Sequence, residues 1–401
     1  MSSRGWKTYR LRDLCKKIGS GATPRGGKET YLSEGPYALI RSQNVLDFFF
    51  SSNGIAFIDE GQANQLNNVE LQERDILLNI TGDSVARVCQ VNKELLPARV
   101  NQHVSIVRPD RSRLIPEYLK YFLLNPKFKN YMLGLASVGG TRNALTKGMI
   151  EDFEIELPPL RIQRRIADIL SALDDKIELN RQTNATLEAI AQAIFKEWFV
   201  DFNFPGANGE MVDSELGMIP RGWRAGKFGE IITNYDSKRV PLSSRERESR
   251  KGIYPYYGAA SILDHIDDFL FDGVYLLMGE DGTVITDDEK PVLQYVTGKF
   301  WVNNHTHVLQ GRGSFSTEFI YLLLKNTNIK HIVTGAVQPK INQGNMNNLS
   351  TVIPDSETMK LFQEITKPNF AYILEIEQQS TTLSTIRDAL LPKLMSGEIE
   401  V

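Results

Sequence analysis

The amino-acid sequence repeats itself, with a period of about half of its 401 residues. The segment VNQHVSIV, which begins at Val100, matches VNNHTHVL, which begins at Val302, and YLKYFLLN from Tyr118 matches FIYLLLKN from Phe319. A third pair, SVGGTRNALTKG and VTGAVQPKINQG, continues in register into the text after each copy. The common order and the nearly constant offset, 196 to 202 residues, indicate a duplicated unit and predict one fold used twice.

A long run with helical character follows each copy. The first run, from Leu160 to Phe199, contains neither glycine nor proline and begins after a Pro-Pro pair, which favours a helix start. We predict a second helix from about Ser356 to Met395. In both runs, steps of four and three residues mark a heptad seam, the pattern of a coiled coil. The predicted seam positions are Ile166, Leu170, Leu173, Ile177, Asn180, Asn184, Leu187, Ala191, Ile194 and Trp198 in the first run and, 196 residues later, Phe362, Thr366, Asn369, Ile373, Ile376, Ser380, Leu383, Arg387, Leu390 and Leu394 in the second.

The predicted helices are too long for a small globule. A helix of about 36 residues is roughly 54 Å long, so the two seams must pack on each other or on another protein. Asn180 and Asn184 lie in the first seam. They are either tolerated at its edge or buried to fix the register at some cost in stability. Pro368 is expected to break the first turns of the second helix.

The two segments that precede the helices have the same texture. Each mixes short strand-like runs, such as DILLNI from Asp75 and GVYLLM from Gly273, with turns rich in Gly and Asp, and each ends in a short helix. This pattern predicts an α+β fold. Its four parts are a mixed α/β globule over residues 1–157, a helix over 158–200, a second globule over 201–355 and a helix over 356–401.

Composition and charge exclude several classes of protein. Hydrophobic residues make up 41% and charged residues 24%, as in ordinary globular proteins, and no apolar run is long enough to span a membrane. Two cysteines are too few for a disulfide framework and favour a reduced, cytoplasmic setting. Residues 1–157 carry 21 basic against 17 acidic side chains, and residues 200–355 carry 15 against 19. Any contact with a polyanion must therefore come from arranged side chains rather than from bulk charge.

The sequence carries no recognisable catalytic or metal-binding signature. The segment GSGATPRGGKET resembles a phosphate-binding loop, but Glu29 stands where that loop needs Ser or Thr. Asn125-Pro126-Lys127-Phe128 resembles the N-P-P-[YF] motif of amino-methyltransferases, with lysine in place of the second proline, and a helix ended by Asn-Pro is the better interpretation. His305 and His307 would point to one face of a strand, yet no further ligand pair accompanies them, so we predict no metal site.

Glycine-rich loops carry side chains that suit contact with DNA. Arg and Gln can read base edges in the major groove, and Lys mainly holds phosphate. The densest group is a basic stretch over residues 238–251, although Glu246 and Glu248 dilute it. For each residue taken singly, a solvated surface charge is the alternative. The candidate DNA contacts are Arg25, Lys28, Arg41, Gln43, Asn44 and Arg142 in the first copy, and Lys238, Arg239, Arg245, Arg250, Tyr256, Tyr257, Gln338 and Lys340 in the second.

Four segments of the chain resemble one known family. The run LPPLRIQRRIADILSALDDKIELNRQTNATLEAIAQAIFKEWFVDF resembles the central conserved region of type I restriction-modification specificity subunits, and the tail STIRDALLPKLMSGEIEV resembles their distal conserved region. GSGATP near the start and TGAVQPKIN in the second copy look like the borders of their target-recognition domains. The resemblance covers the whole chain. Arg387 departs from it by replacing an apolar seam residue, and Pro368 departs from it by interrupting the second helix.

This resemblance implies a fold and a function. The fold would be two duplicated target-recognition domains, each a mixed α/β globule, joined by two long α-helices that pair as an antiparallel coiled coil. Each domain would read one half of a split, asymmetric site in double-stranded DNA. Two readers on the same side of B-DNA sit about 34–36 Å apart, which fits within a rod of roughly 54 Å.

The resemblance also implies partners. The helices would dock two methyltransferase subunits, and restriction/translocase subunits would complete the phage-defence complex. The chain itself would be non-catalytic and would hold no cofactor, since S-adenosylmethionine, ATP and Mg²⁺ would act only in the partner subunits. Two other functions stay open: a coiled-coil adaptor or scaffold that does not read DNA, and a self-contained DNA methyltransferase or nuclease.

Overall fold

Our computed structural model describes residues 6–137, 143–335 and 337–401. The chain divides into two compact units. Unit 1 comprises Met1–Arg181 together with Gln378–Val401, and unit 2 comprises Gln182–Glu377. Both divisions fall inside long helices, so each unit contains one of the repeated globules and a part of each helix.

Unit 1 is built from short strands and helices. Its strands are β1 (Lys7–Arg10), β2 (Cys15–Ser20), β3 (Tyr37–Ile40), β4 (Ala56–Ile58), β5 (Ile76–Asn79), β6 (Val88–Gln90), β7 (Ala98–Val100), β8 (Val104–Pro109) and β9 (Glu154–Leu157). Its helices are α1 (Glu60–Gln65), α2 (Pro116–Leu124), α3 (Pro126–Ser137), α4 (Lys147–Glu151) and the first part of α5 (Leu160–Phe199). Strands β2-β8-β5-β6 form one antiparallel sheet in that order, β4-β3-β7 form a second in which β3 and β7 are parallel, and β1 pairs with β9.

Unit 2 has the same kind of construction. Its strands are β10 (Met211–Val212), β11 (Ile219–Pro220), β12 (Arg224–Lys227), β13 (Ile232–Asn234), β14 (Lys251–Tyr257), β15 (Ile262–Ile266), β16 (Phe271–Asp272), β17 (Tyr275–Gly279), β18 (Leu293–Val296), β19 (Lys299–Val302), β20 (Thr306–Gly311) and β21 (Ser350–Ile353). Its helices are α6 (Phe228–Ile231), α7 (Ser244–Ser249), α8 (Thr317–Lys325), α9 (Gln343–Asn347) and the first part of α10 (Ser356–Met395). The sheets are β13-β20-β17-β18 and β15-β14-β19-β16, with separate pairs β12-β21 and β10-β11.

The strand order confirms the duplication. The order β13-β20-β17-β18 repeats β2-β8-β5-β6, and β15-β14-β19 repeats β4-β3-β7, including its parallel pair. Corresponding strands also keep their register, since Leu77 lies opposite Ile106 in unit 1 and Leu277 lies opposite Val308 in unit 2. Unit 2 adds β16 at the edge of its second sheet.

A central strand in each unit is buried on both faces. Successive side chains of a strand point to opposite sides, so Ile76 and Leu78 pack in the core that includes the helices, while Leu77 packs in the core of the second sheet. Strand β17 divides its apolar residues in the same way. A strand covered on both faces needs an uninterrupted apolar run rather than alternation. The runs ILL and LLM meet that need.

Helices α5 and α10 have the bounds that the sequence predicts. Each spans 40 residues, and every predicted seam position is buried or half-buried. The predicted break at Pro368 is wrong, because α10 continues through it. Pro368 is exposed, so water can solvate the carbonyl group that lacks a helical donor there. No described helix is both long and apolar enough to cross a lipid bilayer.

The two helices run antiparallel in unit 1. Arg387 Nη1 lies 2.9 Å from Asp174 Oδ1, and Asn180 Nδ2 donates to Ser380 Oγ at 3.0 Å, so residue numbers fall along α10 as they rise along α5. Asn180 Nδ2 also lies 2.9 Å from Gln379 Oε1, and the Asn180 side chain is only 1% exposed. Asn180 is therefore a buried polar residue of the seam rather than a residue tolerated at its edge.

The same antiparallel direction holds within unit 2. Asn184 Nδ2 donates to the carbonyl oxygen of Ile373 at 3.3 Å, and the rings of Trp198 and Phe362 lie 5.7 Å apart. Helical side chains also complete the main core of this unit, because Trp198 and Phe362 belong to the same buried cluster as the central strand β17. Each globule is thus packed against one part of the helix pair.

Arg387 occupies a seam position because its charge is matched there. Its side chain pairs with Asp174 and lies over the ring of Phe48 at 3.5 Å from the centroid. Asp174 also accepts hydrogen bonds from Lys120 Nζ at 3.0 Å and from the Tyr121 hydroxyl at 2.6 Å. One carboxylate therefore joins α5, α10 and α2, and each of its partners would lose a charge-assisted contact without it.

Replacing Asp174 by Asn should destabilise unit 1 by about 3–5 kcal/mol, because the buried Lys120 would lose its counter-ion and Arg387 would keep only Asp388, a more exposed carboxylate. Asp175→Asn is the matched control, since Asp175 is the next residue of α5 and is exposed; it should change the free energy of unfolding little. Urea denaturation followed by circular dichroism measures both. Equal midpoints for the two variants would show that the Asp174 carboxylate does not stabilise the helix pair.

Candidate nucleic-acid interface

Four loops of unit 1 come together. We define loop cluster 1 as residues 21–25, 41–44, 81–87 and 101–103, which follow β2, β3 and β5 and precede β8, respectively. Thr23 Oγ1 donates to Gln102 Oε1 at 2.5 Å, and Gln102 Nε2 lies 2.9 Å from His103 Nε2. On its other side, His103 Nδ1 lies 2.6 Å from Thr81 Oγ1. These contacts connect three of the four loops through their side chains.

A close backbone approach holds the first loop in place. The Gly21 N–H donates to the carbonyl oxygen of Asn101 at 3.1 Å. A Cβ atom on Gly21 would lie only 1.8 Å from the carbonyl oxygen of Val100. The segment GSGATP therefore needs glycine at this position because a side chain would collide with the backbone of β7.

Asn44 shapes the second loop from within. Its side chain is fully buried, and its Nδ2 donates to the carbonyl oxygens of Ser51 and Asn53, both at 3.1 Å. Its Oδ1 accepts the N–H of Arg41 at 3.0 Å. The structure thus gives Asn44, a predicted DNA contact, hydrogen bonds that turn inward and hold the loop.

The outer side of loop cluster 1 carries groups that can read base edges. Gln43 is exposed, with its Nε2 donating to the carbonyl oxygen of Gly54 at 3.1 Å. Arg41 Nη2 donates to the same carbonyl at 2.5 Å, and its guanidinium lies over the ring of Tyr31. A depression of about 400 Å³ opens beside them, lined by Ser42, Gln43, Thr81, Gly82, Asp83, Ser84, Arg87 and His103.

Unit 2 repeats the hydrogen bonding of these loops. We define loop cluster 2 as residues 236–240, 258–261, 279–282, 303–306 and 337–340. Three backbone N–H to carbonyl hydrogen bonds of unit 1 have counterparts in unit 2. In unit 1 they run from Ile80 to His103 (3.0 Å), from Gly82 to Asn143 (3.0 Å) and from Leu145 to Ile80 (2.8 Å). Their counterparts in unit 2, in the same order, run from Glu280 to His305 (2.8 Å), from Gly282 to Pro339 (2.9 Å) and from Ile341 to Glu280 (2.9 Å). The two units therefore present similar loop backbones with different side chains.

Charged side chains dominate loop cluster 2. Lys340 Nζ lies 3.1 Å from Asp281, and His305 Nδ1 lies 3.5 Å from the same carboxylate. Arg239 Nη1 lies 2.6 Å from Glu280 Oε2. Loop cluster 1 uses neutral hydrogen bonds at the corresponding contacts, so the two clusters offer different chemistry to a ligand.

His305 and His307 do not share a strand face, contrary to the prediction. His305 lies in the turn before β20 and is about half exposed, whereas His307 is fully buried within β20. His307, Asp236 and Glu280 are close enough to hold a metal ion, with their polar atoms within 4.8 Å of one another. However, the Arg239 guanidinium lies 2.6 Å from Glu280 and 3.7 Å from Asp236. These side chains are already paired by charge, and we assign no metal to them.

Comparison with known proteins decides the family. The family model described as "Type I restriction modification DNA specificity domain" matches residues 3–189 and 220–382. The chain belongs to this family. Members of the family recognise DNA sequence and are not the catalytic subunits of their systems. The predicted DNA-specificity function is confirmed at this level, and the alternative of a self-contained methyltransferase or nuclease is set aside.

Relatives match this specificity subunit over nearly its whole length. The type I restriction enzyme MjaIX specificity subunit of Methanocaldococcus jannaschii is 27% identical, covering 99% of this chain and 94% of that protein. The HindI specificity subunit of Haemophilus influenzae is 23% identical, covering 98% and 99%. The crystal structure of a type I S subunit from M. genitalium has a TM-score of 0.58 at 15% identity, covering 98% and 97% of the chains. That likeness confirms the predicted fold of duplicated globules with long helices.

The structure places most predicted DNA contacts of the specificity subunit in or beside the two loop clusters. Arg41 and Arg239 belong to the clusters but already bind partners within them. Arg142 lies outside the described residues. The exposed candidates in or beside the clusters are Arg25, Lys28 and Gln43 in unit 1 and Lys238, Gln338 and Lys340 in unit 2.

Two predicted tyrosines pack inside unit 2. Tyr256 is only 1% exposed, and its hydroxyl accepts the N–H of Leu242 at 2.9 Å. Tyr257 is half-buried, and its ring lies 5.7 Å from that of Phe300. Tyr256 therefore supports the fold beneath the loops, and its position gives it no direct access to a ligand.

The basic stretch over residues 238–251 does not form one surface. Arg245 lies on α7 and Arg250 lies just before β14, whereas loop cluster 2 follows the far end of that strand. Seven strand residues separate these positions from residues 258–261 of the cluster by about 20 Å, although Arg250 contacts the ring of Trp301, whose Nε1 donates to the carbonyl oxygen of Val240 in the cluster. Arg250 pairs with Asp267 and Lys251 pairs with Asp264, both at 2.9 Å. Acidic side chains therefore match much of the charge of this stretch, and Arg245 and Arg250 lie outside the residues that form loop cluster 2.

Sequence reasoning missed several residues of the clusters. They are Thr81, Arg87, Gln102 and His103 in loop cluster 1 and Asp281 and His305 in loop cluster 2. A signal for part of this set was present in the matched segments VNQHVSIV and VNNHTHVL, whose His103 and His305 stand just before β8 and β20. Loops on a rigid scaffold often carry binding residues. Polar residues that both copies share just before a strand therefore indicate a binding loop.

Gly21→Ala should disturb loop cluster 1, because the added methyl group would collide with the carbonyl oxygen of Val100. We expect a loss of about 1–3 kcal/mol in the free energy of unfolding of unit 1, as for other overpacked sites. Gly19→Ala is the matched control, since its Cβ meets nothing within 4 Å. Thermal unfolding compares the two, and identical unfolding temperatures would mean that the close approach of GSGATP to β7 is not required.

Proposed function

We propose that the chain reads a bipartite, asymmetric target in double-stranded DNA, with loop cluster 1 reading one half and loop cluster 2 the other. The observation that carries the proposal is that the clusters share backbone hydrogen bonds but differ in their side chains. Similar backbones allow both clusters to approach a groove in the same way, whereas different side chains select different bases.

The side chains suggest what each cluster prefers. In loop cluster 1, Gln43 and Arg87 border the depression, and glutamine suits adenine while arginine suits guanine. In loop cluster 2, Asp281 can accept from cytosine N4 and Lys340 can donate to guanine. Lys340 and Asp281 form an ion pair at 3.1 Å. On binding DNA, each can replace this contact by a hydrogen bond to one base of a G·C pair. We therefore expect G·C pairs in the half-site of unit 2.

Exposed apolar side chains on the helices support docking of methyltransferase subunits. Ile386 in unit 1 is 43% exposed, and Ile190 and Tyr372 in unit 2 are 44% and 50% exposed. Ile190 and Ile386 are 196 residues apart, so they are equivalent positions of the duplicated helix. Because the seams are already used in helix pairing, apolar side chains exposed at equivalent positions of the two helices are available for contact with another protein. We assign one methyltransferase subunit to the surface around Ile386 in unit 1 and one to the surface around Ile190 in unit 2.

The remaining partners are those that the family resemblance implies. Adenine or cytosine methylation needs S-adenosylmethionine, which we place in the methyltransferase subunits. Cleavage and translocation need ATP and Mg²⁺, which we place in restriction/translocase subunits that join the complex. The chain would then bind no cofactor of its own and would act on genomic and phage DNA in the cytoplasm.

Methylation mapping tests the bipartite target. The chain is co-expressed with the methyltransferase subunit encoded beside it, in a host that lacks adenine methylation, and the modified DNA is sequenced directly. We expect one split motif with a fixed gap, absent when this chain is omitted. Gln43→Ala should relax one half of the motif by about 1–3 kcal/mol of discrimination at one position, leaving the other half and the gap unchanged.

Arg245→Ala is the matched control for this mapping, because Arg245 is exposed but lies outside both clusters. It should leave the whole motif unchanged. A contiguous motif without a gap would contradict the bipartite proposal. A complex that co-purifies but methylates nothing would favour the scaffold function instead.

Ile386→Asp should weaken the binding of one methyltransferase subunit and Ile190→Asp that of the other, because each places a charge in an apolar contact. Thr385→Asp and Ala189→Asp are matched controls at neighbouring exposed positions that are also 196 residues apart. Size-exclusion chromatography with light scattering gives the stoichiometry, and each single apolar variant should lose one subunit. Unchanged stoichiometry in both apolar variants would place the docking surface elsewhere.

A further inference from the structure

A buried histidine ties together the recognition loops of unit 2. His307 lies on β20 with none of its surface exposed. Its Nδ1 is 2.6 Å from Asp236 Oδ2, and its Nε2 is 2.8 Å from the carbonyl oxygen of Ile341. Asp236 follows β13, and Ile341 directly follows the loop over residues 337–340. The imidazole therefore bridges the first and last loops of the cluster.

The contacts of His307 show that its ring carries both protons. A carbonyl oxygen can only accept a hydrogen bond, so Nε2 of His307 must donate to Ile341. Asp236 Oδ1 accepts the N–H of Val308 at 2.9 Å, and its Oδ2 accepts from Asn234 Nδ2 at 2.9 Å, as expected for an ionised carboxylate. Nδ1 of His307 then donates to that carboxylate. The imidazolium is held between two acceptors.

Charges from every neighbouring loop face this imidazolium. Glu280, after β17, lies 3.7 Å from His307 Nδ1. Arg239 bonds Glu280 and lies 3.7 Å from Asp236, and Lys340 lies 3.9 Å from Glu280. Beyond these, Lys340 and His305 both contact Asp281. Positive and negative groups thus alternate from the buried His307 to the exposed Lys340.

Unit 1 has no ionisable group at the positions that match His307, Asp236 and Glu280. Strand register equates His307, which lies opposite Met278, with Ser105, which lies opposite Leu78. Ser20 is the counterpart of Asp236, since Ser20 lies opposite Ser105 as Asp236 lies against His307. Ile80 takes the place of Glu280 in the shared backbone hydrogen bonds. The charged network therefore belongs to one of the two copies, and the other copy is an internal control.

We propose that protonated His307 is a positioning residue for DNA reading: it holds Asp236 and the loop of residues 337–340 so that Lys340 and Asp281 present a fixed pattern to the second half-site. This rests on the proposed function, in which loop cluster 2 reads one half of the target. Loss of the proton, or of the ring, should loosen recognition of that half-site and spare the other half-site.

The direction of the pH effect follows from the surroundings of His307. Burial by itself lowers the pKa of His307, but the hydrogen bond and charge of Asp236, the Ile341 carbonyl and Glu280 together more than offset it, so the pKa lies above its ordinary value of 6.5. The positioning is fully present below pH 6.5 and is lost as the pH rises through the raised pKa. Asp236, with a lowered pKa, stays ionised over this range.

Half-site discrimination measures the effect. Once mapping gives the target, the purified complex with the methyltransferase subunits is titrated with the target duplex and with duplexes that carry one changed base pair in either half, from pH 6 to pH 9. For the wild type, discrimination in the second half should fall roughly tenfold across this range, the loss expected for a charge-assisted hydrogen bond. Discrimination in the first half should not follow it.

His307→Gln should show the low discrimination in the second half at every pH, and His331→Gln, an exposed histidine of unit 2, should behave as wild type. Equal losses in both halves, or a wild-type pH profile in His307→Gln, would overturn the proposal.

Hydrogen exchange of the wild type alone gives a second readout that needs neither DNA nor a variant. The amides of Glu280, Gly282 and Ile341 donate to loop carbonyls in unit 2, and those of Ile80, Gly82 and Leu145 do so in unit 1. After correction for intrinsic rates, protection should fall with rising pH only in unit 2. A parallel fall in both units would refute the positioning role. Failure of DNA reading with the unit 2 effect intact would instead count against the proposed function.

Discussion

The register of α5 against α10 is the constraint on which both units depend. Each unit completes its core with side chains from both helices, such as Leu170 and Leu391 in unit 1, although these helices are distant in sequence. Apolar seams alone tolerate slippage by a heptad. A slip here would leave the Asn180 amide without its partners and separate Asp174 from Arg387, and buried polar groups without partners cost more than the contacts themselves are worth. The polar residues of the seam therefore specify which side chains of α5 and α10 pack together. They thereby specify the helical surface against which each globule packs.

In both globules, the groups that hold the loops in place differ from the groups that face solvent. The groups that hold loop cluster 1, including Gly21 and the buried Asn44, act through backbone contacts and turn away from solvent. The groups free to vary, such as Gln43, stand on the outer side. Because the backbone hydrogen bonds between the loops are repeated in unit 2, substitutions on the outer side can change the groups that each unit presents without changing how the loop backbones are held. Unit 2 also has the charges around His307, at positions where unit 1 has neutral residues.

Much of this architecture could be predicted from the sequence. The helices α5 and α10 were predictable because a heptad pattern is local in sequence. A segment of 40 residues without glycine is also compatible with few structures other than a helix. The duplication was predictable because whole segments match in order. The candidate site was predicted less well. Arg245 and Arg250 look like a basic surface in the text, yet the acidic residues that match this stretch, Asp264 and Asp267, come later in the chain on or after β15. Tyr256 is a predicted DNA contact, yet it is buried.

The one-dimensional pattern thus indicates the fold class, the repeat and the two long helices, because periodicity and turn residues act over a few neighbouring positions, whereas the pairing of the helices with each other is shown by the structure. Which polar side chains face a ligand depends on contacts between residues that are far apart in sequence, as between Asp236 and His307 or between Thr23 and Gln102. Burial and ion pairing are properties of those long-range contacts. Only the folded chain shows that Gln43 and Lys340 remain exposed while Asn44 and Tyr256 turn inward. The reason is that the sequence around a charged or amide side chain does not indicate whether the fold will supply it with a hydrogen-bond or ion-pair partner.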